Sequence, residues 1–567
     1  MIVRFLLSAG AVLASLSAVS PAHADALIDH INGFTLDRNG AIERFTGLLI
    51  DKDGRVKQLL HDGDPRPARL DFLNDGHGAV VMPGFVDSHA HVMALGFAAL
   101  TLDLSDTHSL GEAQQKIAAY AAKFPGRPWI IGRGWDADRW ALGRLPTAAD
   151  LDAVVADRPV WLESADGHAG WANSRALVLA GITAATKDPI GGRIERLPAP
   201  PAPPQRRGQR AAPHVRLGAP AGVLVDAAMA PMLDTVPPPR PEDRDLALST
   251  AQTILIEHGI TAVTDMGTTI EDWQAYRRAG DLGRLRLRIM GYAAGTEAMQ
   301  LIAGPGPTPW LYDDRLHMSG VDLVADGALA SRGAWLKAPY ADAPATSGLP
   351  QLSDTALKNL MSRAAIDHFQ VAVEATGDAA TAAVLDAVSA MADTYKGDRR
   401  WRIEQAGMFA PQDLPRLGQL NAQAGGIVAT MRPGADMAMI TARLGPARAP
   451  LASAWKSVAA SGVTLTFGSD TPAQTPDPFA GIATVTSADN PQGVPLAQAL
   501  AGYTARAAWA GFAEGHFGRL LPGERADFVM VDRDITKVPP AEIGGTKVLQ
   551  VWVGGLPVYR VGDEGNK

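Results

Sequence analysis

The stretch Val80-Val81-Met82-Pro83-Gly84-Phe85-Val86-Asp87-Ser88-His89-Ala90-His91 is the part of the chain from which the fold is read. A short turn at Pro83-Gly84 leads into an apolar strand that ends on two histidines. Side chains two apart on a strand share a face. His89 and His91 therefore present two imidazoles side by side, a spacing suited to one divalent metal ion. Asp87 sits on the alternate residue, where it is placed to orient an imidazole from behind.

Working outward, the 567 residues exceed what one small core needs, and 47% hydrophobic with 20% charged residues is ordinary for a globular protein. A net charge of −8 and a pI near 5.9 give no global basic field, which argues against a nucleic-acid partner. The absence of cysteine excludes disulfides, thiolate ligands and cysteine nucleophiles. No Gly-rich phosphate loop or dinucleotide fingerprint occurs. At the N-terminus, Arg4, an apolar run over 5–19 and Ala22-His23-Ala24 have the form of a signal peptide over 1–24. The expected mature chain starts near Asp25 in a bacterial periplasm or outside the cell, with no later membrane span.

Residues 28–60 alternate apolar and polar with turns at Asn32-Gly33, Asn39-Gly40 and Asp53-Gly54, and the C-terminus repeats that pattern around 523–559. Between the ends, eight strand candidates fall at 81–86, 260–266, 285–292, 321–325, 371–375, 401–404, 426–431 and 463–467. Helical patterns at 244–258, 354–368 and 379–395 separate some of them. This βα alternation predicts an α/β chain built on a parallel barrel. The region from about 100 to 243 is a long insertion, and within it 198–220 is rich in Pro, Ala and Arg, as a surface loop would be.

The opening stretch, together with Trp161-Leu162-Glu163-Ser164-Ala165-Asp166-Gly167-His168, Asp326-Gly327-Ala328-Leu329-Ala330-Ser331-Arg332-Gly333, Gly468-Ser469-Asp470 and Tyr503-Thr504-Ala505-Arg506-Ala507, resembles the metal-dependent amidohydrolase superfamily, specifically amidohydrolase family 3, the YtcJ-like proteins. The resemblance implies a TIM-type (β/α)8 barrel over 81–514 and a small β-sandwich made from both ends, 25–80 and 515–567. It also implies that the insertion covers the barrel mouth. The family's ligand set is His-x-His, a lysine, two histidines and an aspartate. This chain keeps His89, His91 and Asp470, but Asp322 stands at the lysine position and Glu374 and Gln405 at the two histidine positions.

A binuclear zinc site is therefore not expected. The expected centre is mononuclear: His89, His91 and Asp470 hold one divalent ion, with Asp322 or Glu374 completing the shell. Zinc is the first expectation; the oxygen donors also suit Mn²⁺ or another harder ion. Asp322, Glu374 and Asp470 bring three carboxylates toward one cavity, and without a cation at least one must stay protonated. Asp470 is the expected general base, Glu374 and His168 assist catalysis, and Arg332, His168 and Gln405 are expected to contact substrate. The activity implied is hydrolysis of a C–N bond, amide or related, in a small organic molecule by a metal-activated water. Two alternatives stand beside it: a lyase or isomerase using Glu374 as acid/base, and a catalytically silent binding protein. A homodimer is the default assembly.

Overall fold

The computed structural model describes residues 25–199, 217–434 and 436–562, so the signal peptide expected over 1–24 and most of the Pro/Arg-rich stretch expected to be a surface loop lie outside the described residues. Eight parallel strands hydrogen-bond in chain order: β1 (Phe85–Ala90), β2 (Ile260–Thr268), β3 (Arg288–Ala294), β4 (Leu316–Val324), β5 (Gln370–Glu374), β6 (Trp401–Glu404), β7 (Ile427–Met431) and β8 (Thr464–Phe467). A parallel bridge from Ala90 to Thr471 brings the end of β8 back to β1, giving a nearly closed TIM-type barrel. Every residue of β1, β5, β6 and β7 is buried. Strands sandwiched between a filled interior and a helical shell have no wet face, which is why they read as apolar runs rather than alternations.

The surrounding helices obey their own period. Pro241–Glu257 buries Leu248, Ala251, Gln252 and Leu255, and Asp378–Met391 buries Val384, Leu385, Val388 and Met391. These positions form one stripe facing the sheet. Ile270–Asp281 starts at a capping box, in which Asp272 N–H donates to the Thr269 hydroxyl and Thr269 N–H to the Asp272 carboxylate.

The first expected strand is in fact two. Val80–Pro83 pairs with Asn32–Leu36 and Phe528–Val531, outside the barrel, and only Phe85–Ala90 enters it. Proline has no N–H to continue a ladder. A Cβ on Gly84 would collide with the Thr261 side chain, so only glycine lets the chain cross so close to β2.

Both chain ends contribute to one six-stranded sheet, ordered Leu556–Arg560, Val548–Val553, Phe528–Val531, Val80–Pro83, Asn32–Leu36, Ile42–Phe45. A second sheet runs Val56–Leu60, Gly47–Ile50, Ala26–Asp29, Phe72–Asp75. Ile28, Leu48 and Ile50 from the second share an apolar cluster with Phe45, Val81, Phe528 and Trp552 from the first. An ion pair buried on both sides locks this unit to the barrel floor. At the start of β3, Arg288 donates through Nε and Nη2 to Asp527 at 2.5 and 2.8 Å, and through Nη1 to the carbonyls of Asp313 and Asp314.

The insertion builds its own mixed sheet, ordered Gly192–Arg196, Pro220–Asp226, Ala169–Ala172, Val160–Ser164, Ile130–Trp135, Leu102–Asp103. Trp129, Trp135, Trp140, Trp161 and Trp171 pack in its two apolar clusters. Arg133 reaches from it to the Pro472 carbonyl at 2.6 Å, just past β8. Among the described residues no helix is long and apolar enough to cross a membrane.

Candidate metal centre

His89 and His91 lie at the end of β1, with ring centroids 5.2 Å apart and rings nearly perpendicular. Each imidazole is held from behind through Nδ1. His89 Nδ1 lies 2.8 Å from Glu404 Oε2 at the end of β6, and His91 Nδ1 lies 3.0 Å from the Met266 carbonyl of β2. Both Nε2 atoms are thereby turned toward the same space, the orientation a metal-binding imidazole needs. His91 Nε2 is 3.3 Å from Asp470 Oδ1; His89 Nε2 is 3.6 Å from that oxygen and 3.7 Å from Glu374 Oε1. One ligand atom each from His89, His91 and Glu374 lie within 4.8 Å of one another.

The support behind His89 is a buried network. Glu404 and Arg402 are both fully buried and paired at 2.7 Å; Thr430 donates to the same carboxylate oxygen, and Arg402 Nη2 donates to the Ser88 carbonyl. Burial alone would raise the Glu404 pKa, but Arg402 and His89 hold it below the usual carboxylate value. Asp87, expected to orient an imidazole, instead accepts the backbone N–H groups of His89 and Ser469, tying the ends of β1 and β8 together. The orienting acid is Glu404. Its signal in the sequence is its place immediately before the altered ligand position Gln405. Beside His91, Asp265 holds the backbone: it accepts from Val92 N–H at 2.8 Å and from Thr268 and Tyr276 hydroxyls, and burial pushes its carboxyl up to about 6.

The donors suit one divalent cation. Asp322, at the end of β4, is buried, and its Oδ1 has no hydrogen-bond partner among the described residues. Burial and the neighbouring Glu374 charge raise its pKa well above the ordinary value, so it is the member of the acid trio kept neutral when only protons balance the charge. Burial lowers the His91 pKa, yet the Asp470 hydrogen bond and charge, with Glu374 and Asp322 behind, raise it to about 10. His89 is raised against burial by Glu404, Asp470 and Glu374. Asp470 is lowered against burial by His91, His89 and Arg432. A cation among these groups would have two nitrogen donors and two or three carboxylate oxygens as its ligands.

Asp470 and Gln405 both have left-handed backbones, φ 56° and 57°, at strand ends. Non-glycine residues held there are uncommon and gather at functional sites. Gln405 Nε2 is 3.5 Å from His89 Nε2, too long for a firm hydrogen bond, and lines the adjoining cavity. That cavity, of about 90 Å³, has a polar end formed by Asp470, Gln405, Arg432, His168 and Asp166 and an apolar wall of Leu329, Met408, Met431, Met439, Ile440 and Leu444.

Arg432, just past β7, donates through Nη1 to Asp470 Oδ2 at 3.0 Å. It went unremarked in the sequence, although a charged residue at a barrel strand's C-terminal end is a signal. His168 reaches the cavity from the insertion, its Nδ1 2.8 Å from Asp226 Oδ1. Arg332 does not line the cavity. It is bound to Asp342 at 2.7 Å, while Asp326, six residues before it, is taken up by the backbone N–H groups of Trp335, Thr376 and Gly377.

The chain matches the model of the amidohydrolase family over residues 74–559. It is 31% identical over 523 residues to protein LONG AFTER FAR-RED 3 of Arabidopsis thaliana, covering 86% of this chain and 85% of that protein. To YtcJ of Bacillus subtilis (strain 168) it is 29% identical, covering 85% and 89%. To the N-substituted formamide deformylase of Arthrobacter pascens it is 26% identical, covering 86% and 89%. Among solved structures, an uncharacterized metal-dependent hydrolase from Pyrococcus furiosus superposes with a TM-score of 0.67 at 25% identity, covering 91% of this chain and 100% of that one. With its barrel, its paired imidazoles and a family match spanning most of its length, this chain belongs to the amidohydrolase family.

Proposed function

We propose that this chain is a mononuclear metal-dependent amidohydrolase that hydrolyses an amide-like C–N bond in a small organic substrate. The observation that carries the reading is the convergence of both Nε2 atoms on Asp470 and Glu374, beside an Asp322 oxygen with no hydrogen-bond partner among the described residues. His89, His91, Asp470 and Glu374 would hold the ion, with Asp322 as the fifth donor; zinc fits first and Mn²⁺ next. A divalent ion in such a centre polarises a carbonyl and lowers the pKa of water bound to it. Asp470 accepts the proton of the attacking water and returns it to the leaving nitrogen. Glu404 and the Met266 carbonyl keep the imidazoles aligned, and Gln405 offers an amide to the substrate. The methionine-rich wall beside them suits a compact apolar group next to the scissile bond, since methionine adapts its shape.

The deformylase named above acts on N-substituted formamides, which supports a non-peptide C–N bond as the target class. We read the two end-derived sheets as the family's small β-sandwich. The leader at 1–24 supports export, which N-terminal sequencing of the mature protein tests.

Metal analysis of the purified protein is the decisive experiment. One equivalent of divalent metal, lost together with amide hydrolysis in His89→Ala, is the expected result. A metal-free protein that still turns over substrate would move the reading to a lyase or isomerase using Glu374. Neither metal nor turnover would leave a binding protein.

A further inference from the structure

The insertion brings a histidine side chain, His168, to the cavity. His168 sits on the turn before Ala169–Ala172, its Nδ1 2.8 Å from Asp226 Oδ1, while the Asp226 N–H donates to the His168 carbonyl at 2.9 Å. Its ring lines the same cavity as Asp470 and Gln405, and among the described residues Nε2 makes no hydrogen bond. With Nδ1 engaged, Nε2 is the nitrogen left for a ligand.

Asp226 is held in this position at some cost. Its backbone adopts φ 51° and ψ −125°, a conformation L-residues rarely occupy. Its carboxylate is enclosed by the loop after β4, where a Cβ on either Gly327 or Gly333 would run into it. Two glycines and a strained aspartate thus clamp one carboxylate against one imidazole, across the seam between insertion and barrel. A surface ion pair needs none of this.

We propose that Asp226 is a positioning residue that fixes His168 as an imidazolium, and that His168 Nε2–H donates to the substrate's carbonyl oxygen as negative charge builds on it. The inference rests on the amidohydrolase reading. The step balances as amide plus water giving carboxylic acid plus amine. Water oxygen bonds to the carbonyl carbon, the π-electrons move onto the oxygen that faces His168, and their return expels the nitrogen, which takes the proton carried by Asp470. His168 keeps its proton throughout.

The surroundings agree. Asp226 from the strand Pro220–Asp226, Asp166 from its own turn and Glu374 from β5 all favour the charged ring, and Asp326 feels its charge in turn. Burial opposes them, yet the His168 pKa stands raised to about 9. The donor is therefore charged at neutral pH and is lost as pH rises through about 9.

Histidine-selective NMR and pH–rate profiles on the full-length, metal-loaded protein test this, with His168→Asn identifying the resonance. In Asp226→Asn the His168 titration is expected to fall by at least 1 pH unit toward the ordinary 6.5. The alkaline limb of kcat should move down by the same amount, with KM little changed. His168→Asn should lower kcat about 100-fold and lose that limb, the size expected for removing one oxyanion donor. A His168 titration and an alkaline limb both unmoved in Asp226→Asn would overturn the proposal. Should Asp226→Asn not fold, a full kcat in His168→Asn at pH 8 would overturn it equally. The underlying hydrolase reading fails in a different way: no amide is turned over by the wild type, whatever the titration of His168.

Discussion

The two ends of the barrel use the same charged residues to opposite ends. At the floor, two buried carboxylates, Asp527 and Asp314, have fixed cationic partners. Asp527 takes two bonds from Arg288, and Asp314 takes Arg55 and Arg525 at 2.8 Å each with His516 at 3.2 Å. Although burial opposes it, His516 and Arg525 hold the Asp314 carboxyl well below the usual range. At the mouth, Asp322 has an oxygen without a hydrogen-bond partner among the described residues, Glu374 and Asp470 face imidazoles at 3.3 to 3.7 Å, and two ligand-position residues carry left-handed backbones. A buried acid with its counter-charge built in joins structure; one left waiting for a cation costs stability and is available for chemistry.

The contrast breaks first at the floor. Arg288→Met leaves Asp527 buried without its cation and should cost about 3–5 kcal/mol in chemical denaturation. A cost below about 1 kcal/mol would mean that this pair does not lock the small sheets to the barrel.

Asp314→Asn should cost about 2 kcal/mol at pH 7, the loss of hydrogen bonds between charged groups. The sign with pH follows from the lowered pKa: stability is present above the unfolded value of 3.8 and disappears as pH falls through the folded one. The mutant and wild-type stabilities should therefore begin to converge only as pH falls below about 4, measured as denaturation midpoints across pH.

At the mouth, Glu404→Gln leaves buried Arg402 without its counter-charge and so should cost stability, and in the protein that still folds it should weaken metal affinity about 10- to 100-fold, read by competition with a chelator. Unchanged affinity would mean that the carboxylate serves Arg402 alone.

The smallest effect sharpens the comparison by reversing its sign. Asp322→Asn in chelated protein should gain about 1 kcal/mol at pH 7. The raised carboxyl pKa lets the unfolded chain ionise first, so the wild type loses stability as pH rises above 3.8 and the variant does not. A loss in the variant comparable to that of Asp314→Asn would show that the two ends do not differ.

Much of the barrel was legible because a period of two ending in His89-Ala90-His91, and apolar runs separated by helical stripes, are local signals that survive into the fold. The division at Pro83-Gly84 was less so. Proline and glycine announce a break, but only the partners Asn32–Leu36 and Phe528–Val531, hundreds of residues apart, say which sheet takes Val80–Pro83. Arg332 was misleading for the same reason. Its neighbours in sequence suggest Asp326, while the fold gives that acid to three backbone N–H groups and brings in Asp342.

By itself, then, the order of residues determined the barrel, the paired imidazoles and the three acids, two of them in place of the family's lysine and one histidine and the third its retained aspartate, since residue type and period are properties of neighbours along the chain. Tertiary structure alone decided that Glu404 rather than Asp87 stands behind His89, that Arg432 meets Asp470, and that Asp226 clamps His168. Each of those contacts joins strands or loops 38 to 315 positions apart. Distances of that kind are set by how the barrel closes, which no local pattern encodes.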